Sequence, residues 1–128
     1  MKFGFDPKSG LIIATAKITG PEKDIVIRLA LDTGATSTLI NKNILFACGY
    51  KANDFIAKTR VTTGSRIEHV LIYKLVRIEA LGKINTGLKV LAHNLPETTT
   101  VDGLLGLDFF REHILKIDFI QGEISITE

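Results

Sequence analysis

The chain has 128 residues, enough for one domain that buries roughly two-thirds of its unfolded surface. Its 45% hydrophobic and 23% charged residues are ordinary for a globular fold. Sixteen basic against fourteen acidic residues leave a formal charge of +2, with the cations scattered and no tryptophan. Neither a basic nucleic-acid footprint nor a platform for stacking bases is visible.

The opening MKFGFDPKSG lacks the apolar core of roughly 7–15 residues that a signal peptide requires. No apolar run approaches the ~18 residues of a membrane span, so a soluble cytoplasmic protein is expected, free or as a domain of a longer chain. LIIATAKI (11–18) and DIVIRLAL (24–31) are β-branched-rich strands separated by TGPEK, whose Gly-Pro pair marks a turn. The two-residue period puts Ile25, Ile27, Leu29 and Leu31 on one face of the second run. Val26, Arg28 and Ala30 take the other face, and Asp32 follows on it. NKNILFACG (41–49) predicts a short helix capped by Asn41 and stopped by Gly49. Cys48 is the only cysteine, which excludes an intramolecular disulfide and a cysteine-based metal site.

From Phe55 the pattern is extended again. KTRV leads into the hairpin signature TTGSR, then into a long strand from about Ile67 to Ala80. ALGK is the next turn, after which Ile84, Thr86, Leu88, Val90 and Ala92 alternate along one strand. HNLPETTT reads as a polar loop, VDGLLG as a short apolar strand and LDFFREH as a helical turn or two. ILKIDFIQGEISI predicts a hairpin about Gln121-Gly122. The whole chain, 1–128, is expected to be a single all-β domain with one or two short helices and a closed, barrel-like sheet.

Few residues stand out as chemistry. His69, His93 and His113 carry no metal-ligand spacing, and no serine lies in a G-x-S-x-G elbow. GLLG (103–106) is too short for a phosphate loop and lacks the following Lys. Asp32 differs, because LAL leads a carboxylate toward a core, where an unpaired charge is costly unless a partner shares a proton. Gly34 permits a sharp bend, and Thr33, Thr36, Ser37 and Thr38 supply uncharged hydroxyls to tie it together.

These residues resemble a known family. LDTGATS is similar to the catalytic Asp-Thr-Gly-Ala loop of the retropepsin-like aspartic proteases, the single-domain group of retroviral proteases and their cellular and bacterial relatives. VTTGSRI (61–67) stands where that family has its flap hairpin. DGLLGLDFF (102–110) resembles the two apolar residues, glycine and helix that close its psi-shaped loop. The three occur in the family's order and together span most of the chain. Two departures are evident. Thr36 and Ser37 stand where viral members often carry acidic residues, and MKFGFDPKSG does not match the viral dimer arm.

The resemblance implies an aspartic endopeptidase without metal or cofactor. Asp32 would be the catalytic carboxylate, Thr33 would fix two turns across a two-fold axis, and Gly34 would receive substrate backbone. Ala35, Thr36 and Ser37 would line the substrate site, and Thr62, Thr63, Gly64 and Ser65 would form the flap tip. Leu104, Leu105 and Gly106 would support the turn. Asp6, Asp24, Asp54, Asp102, Asp108 and Asp118 lack the Asp-Thr-Gly context, so the second carboxylate must come from a second copy in a homodimer. The expected partner is an extended peptide, not nucleic acid or membrane. The alternatives are a non-catalytic peptide-binding dimer on the same fold and a monomeric β-barrel interaction module.

Overall fold

The computed structural model describes residues 1–96 and 99–128, and the Thr63 side chain lies outside that description. Its first strand is β1 (Lys2–Gly4), followed by β2 (Ile13–Thr19), β3 (Asp24–Leu31), β4 (Leu39–Asn41) and helix α1 (Lys42–Ala47). Then come β5 (Ala57–Thr63), β6 (Arg66–Lys74), β7 (Arg77–Ala80), β8 (Lys83–Asn85) and β9 (Lys89–His93). β10 (Gly103–Leu105), α2 (Leu107–Phe110), β11 (Ile114–Asp118) and β12 (Glu123–Thr127) complete the described elements. The fold is all-β with two short helices, as expected. No helix among the described residues is long and apolar enough to cross a membrane.

Nine strands form one sheet in the order β5-β6-β9-β4-β10-β3-β2-β7-β8. β1, β12 and β11 form a second, antiparallel sheet. The expected closed barrel is corrected here: among the described residues the large sheet ends at β5 and β8, which do not pair with each other. β10 lies at its centre, parallel to β3 through Leu104↔Ala30 and antiparallel to β4 through Leu104↔Leu39. The strands approach closely there, since a Cβ on Gly103 would lie 1.9 Å from the Leu39 carbonyl oxygen.

Alternation sorts the faces. Ala14, Ala16, Ile18, Ile27, Leu29, Ile40, Tyr73 and Leu105 are buried on one side, joined by Leu45 of α1 and Phe109 of α2. Each fully buried Leu or Ile contributes about 1.5–3 kcal/mol of transfer free energy, so this face drives the fold. Ile124 of the small sheet is buried in the same core, with Phe3, Leu115 and Ile126 packed against it. β1 was not anticipated from MKFGFDPKSG; its three residues hold their place by pairing with β12.

Two expected strands are bent in the structure. The run from Ile67 to Ala80 divides into β6 and β7, which lie toward opposite ends of the large sheet. The run from Ile84 to Ala92 divides into β8 and β9 in the same way. The two bends face each other: Leu75 N–H donates to the Leu88 carbonyl and Gly87 N–H to the Leu75 carbonyl. Gly87 takes a φ of 78° at this point, a value glycine adopts without penalty. The Tyr50 hydroxyl accepts from Val76 N–H at 2.9 Å and fastens the bend to the segment after α1. Asn41 caps α1 as expected, accepting from Asn43 N–H, and Gly49 follows it with a φ of 110°. The expected loop at 93–100 includes Glu97 and Thr98, which lie outside the described residues.

Candidate active site

β3 ends at Leu31 and delivers Asp32 into a tight turn. Asp32 N–H donates to the Leu105 carbonyl at 2.9 Å, continuing the β3–β10 pairing one residue past the strand. Ala35 N–H returns to the Asp32 carbonyl at 3.1 Å. Gly34 N–H donates to Asp32 Oδ1 at 2.9 Å and so orients the carboxylate. A Cβ on Gly34 would stand 3.2 Å from that same oxygen, tighter than ordinary contact. Asp32, Ala35 and Ser37 are half-buried, whereas Thr33, Gly34 and Thr36 are exposed. The mouth of the turn is therefore open on the single chain.

The segment from β10 into α2 forms the back of this turn. Leu107 N–H donates to the Ala35 carbonyl at 2.8 Å. Gly106 N–H donates to Thr38 Oγ1 at 3.1 Å. A Cβ on Gly106 would meet the Ser37 backbone and the Ala35 carbonyl at under 3 Å, so only glycine lets the two segments touch. The structure thus brings Leu105 and Gly106 against residues 32–38, and places Leu104 on the neighbouring sheet face. Thr38, one of the hydroxyls expected to tie the bend together, completes the contact with Asp108, which was not singled out from sequence. Thr38 is fully buried, and both its N–H and its hydroxyl donate to the Asp108 carboxylate. The available signal was a threonine inside an apolar run, which must find partners when buried.

β5 and β6 form the hairpin expected for the flap. Thr63 pairs with Arg66, leaving Gly64-Ser65 as a two-residue turn. Gly64 has a φ of 58°, and it alone of the two is positive, the pattern of a II′ hairpin turn. Thr62, Gly64 and Ser65 are exposed, and no hydrogen bond joins them to the Asp32 turn among the described residues. The hairpin reaches the turn instead through the sheet, by way of β9 and β4.

The pairing registers align a second set of residues that the sequence had not marked. Ala30, Leu104, Leu39, Leu91 and Ile72 occupy successive strands on the face opposite the core. The four larger ones are only half-buried. Asp32 follows Ala30 by two positions and shares its side of the strand direction. Two positions beyond Leu91 on β9, His93 Nε2 lies 2.9 Å from Glu68 Oε2 of β6. The signal for this row was the two-residue period, but only the pairing shows which runs adjoin. A cavity of about 700 Å³ lies elsewhere, lined by Phe3, Ile13, Val26 and Ile124 among others. Among the described residues no three His, Cys, Asp or Glu side chains are grouped as a metal site would require.

Comparison with known proteins bears on the fold and the family. The family described as "gag-polyprotein putative aspartyl protease" matches residues 15–112, a stretch that includes the turn, the hairpin and the β10–α2 support. No curated protein matches the chain. Among solved structures, a retropepsin-like aspartic protease from Rickettsia conorii superposes with a TM-score of 0.72 at 15% sequence identity. The match covers 99% of this chain and 91% of that one, and at this identity it speaks for the fold. With a family match over well above half its length and a retropepsin-like fold, the chain belongs to the retropepsin-like aspartyl protease family.

Proposed function

We propose that the protein is an aspartic endopeptidase that acts as a homodimer, with Asp32 of each copy facing one water. The observation that carries this reading is the Asp32 carboxylate, oriented by Gly34 N–H in an open turn whose backbone is fixed by β10. One such group is half of an acid–base pair. Peptide hydrolysis by this route needs one carboxylate to take a proton from water while a second gives one to the carbonyl oxygen. Two carboxylates about 3 Å apart cannot both ionise, so they share a proton; aspartic proteases are the standard instance of that arrangement. A two-fold axis beside the turn would supply the second group and leave Thr33 to brace the two turns across it.

The substrate in this reading is an extended peptide. Ala35, Thr36 and Ser37 would meet its backbone, and Thr62, Thr63, Gly64 and Ser65 would close over it and exclude water. The half-buried row of Leu39, Ile72, Leu91 and Leu104 favours apolar side chains near the scissile bond. Leu105 and Gly106 act from behind the turn.

Asp32→Asn tests the reading, since Asn keeps the side chain's shape but supplies neither the acid nor the base. Digestion of a peptide library should show cleavage by the native protein. The variant should lose it, falling below about 1% of native turnover, with an unchanged circular dichroism spectrum. Equal cleavage by both proteins would exclude the aspartic mechanism. Peptide binding without cleavage by the native protein would favour a binding module on the same fold.

A further inference from the structure

We propose that Asp108 is a positioning residue for catalysis, holding the Asp32 turn in its reactive shape through Thr38. The inference rests on the aspartic-protease reading and concerns a residue outside the Asp-Thr-Gly motif. Asp108 Oδ1 accepts from the Thr38 hydroxyl at 2.7 Å, and Asp108 Oδ2 accepts from Thr38 N–H at 2.9 Å. One side chain therefore takes both donors of a residue that is fully buried. Bonds to an ionised acceptor are shorter and stronger than neutral ones, and the hydroxyl bond has the short length of that class.

The carboxylate also sets the direction of a chain of bonds. A hydroxyl has one proton and two lone pairs. With that proton committed to Asp108, Thr38 Oγ1 can only accept, and what it accepts is Gly106 N–H at 3.1 Å. Gly106 in turn lies against the Ser37 and Ala35 backbone, where not even a methyl group fits. Asp108, Thr38, Gly106 and the turn thus form one unit, whose polarity starts at the carboxylate. Backbone bonds elsewhere in the cradle, from Asp32 to Leu105 and from Leu107 to Ala35, are independent of side-chain identity. The Asp108–Thr38 pair is the part of the cradle in which both partners use side chains.

Asparagine cannot replace Asp108 in this arrangement. If its oxygen faces the Thr38 hydroxyl, its NH₂ group confronts Thr38 N–H, donor against donor. If it is flipped, the NH₂ group faces Thr38 Oγ1 and the hydroxyl proton loses its acceptor. Either way a buried donor is left unpaired. The turn would still form, but with its geometry loosened. Displacement of a reacting group by about 1 Å can cost on the order of 100-fold in rate.

The experiment compares Asp32→Asn, Asp108→Asn, Thr38→Ser, Thr38→Val and the double variant Asp108→Asn/Thr38→Val in peptide cleavage. Asp108→Asn is expected to lower kcat by roughly 10- to 100-fold while KM stays within about threefold. Thr38→Ser, which keeps the hydroxyl, should stay within about threefold of native kcat, and Thr38→Val should fall as Asp108→Asn does. The double variant should be no worse than either single change, because the two residues act as one unit. Native kcat in Asp108→Asn, a loss confined to KM, or multiplying losses in the double variant would each overturn the proposal. Should Asp108→Asn not fold, Thr38→Ser against Thr38→Val decides: a kcat split supports the proposal and equal kcat overturns it. Native-like cleavage by Asp32→Asn would instead defeat the protease reading. Amide hydrogen exchange reads the unit without any substrate. Exchange at Gly106, whose N–H loses its acceptor, should rise in Thr38→Val relative to Thr38→Ser, and equal protection in the two overturns the proposal.

Discussion

Cys48, buried in the core, couples the stability of the fold to alkaline pH. Its side chain is fully buried, and Sγ–H donates to the Leu45 carbonyl at 3.4 Å. Burial pushes the thiol above its ordinary value of 9.0; contact with its own backbone opposes this, and nearby Asp24 adds to it. The native state therefore keeps a proton that the unfolded chain has released. Stability is intact below pH 9.0 and is lost as pH rises from there through the raised native value. The slope is at most one proton, or about 1.4 kcal/mol per pH unit. Burial likewise raises the Tyr50 and Tyr73 hydroxyls above their ordinary 10.0, so a second decline follows at higher pH. Cys48→Ala should flatten the first decline and leave the second. Urea unfolding of both proteins from about pH 8 to about pH 10 checks this, and parallel curves would mean that the thiol does not titrate on unfolding.

Among the elements, the β5–β6 hairpin gives the sharpest expectation. Nothing lies within 4 Å of a Cβ built on Gly64, so space does not restrict that position. Its φ of 58° does, because a left-handed backbone costs an L-residue about 1–2 kcal/mol and a β-branched one more. Gly64→Val should leave the core intact, lower global stability by no more than about 2 kcal/mol, and reduce kcat/KM by at least roughly tenfold. Peptide-cleavage kinetics beside urea unfolding separate the two effects. Cleavage equal to native would remove this hairpin from the role of lid.

The same scale shows what could be read in advance. β3 was legible to the residue, because DIVIRLAL is bounded by a Gly-Pro turn and by the Asp-Thr-Gly bend. α1 was legible because an Asn cap and a glycine stop enclose it. The bends at Leu75 and Gly87 were not, since alternation on either side runs on and the bends are set by bonds between the two segments. Leu81 and Gly82, with φ of 51° and 74°, form the tight turn that ALGK announced. The residues of the turn could be found from LDTGATS. Asp108 could not, because its meaning depends on Thr38, 70 positions earlier in the chain.

For the molecule as a whole, the proposed reaction makes activity a property of pairs. One chain carries one Asp-Thr-Gly, and its Asp32 sits in a turn that is open on the single chain. Turnover per chain should fall on dilution below the dissociation constant, and sedimentation should show the matching loss of dimer. Mixing gives a stricter test. Native and Asp32→Asn chains, dissociated and reassociated in equal amounts, should keep about a quarter of the activity of native protein at the same total concentration, since mixed pairs have one carboxylate. Retention of about half would mean that each chain works alone.

The central position of β10 bears on when the proposed site can assemble. Its partners β3 and β4 leave the ribosome long before it does, and loops of that length close late and slowly. Until residues 103–108 have emerged, Asp32 N–H has no Leu105 carbonyl to meet and Thr38 has no Asp108. The nascent turn is then a loose connection between two strands. In the proposed endopeptidase reading this ordering acts as a timer. On that reading the growing chain, extended and at its most cleavable, holds no assembled site until β10, the last strand of the large sheet in chain order, has been made.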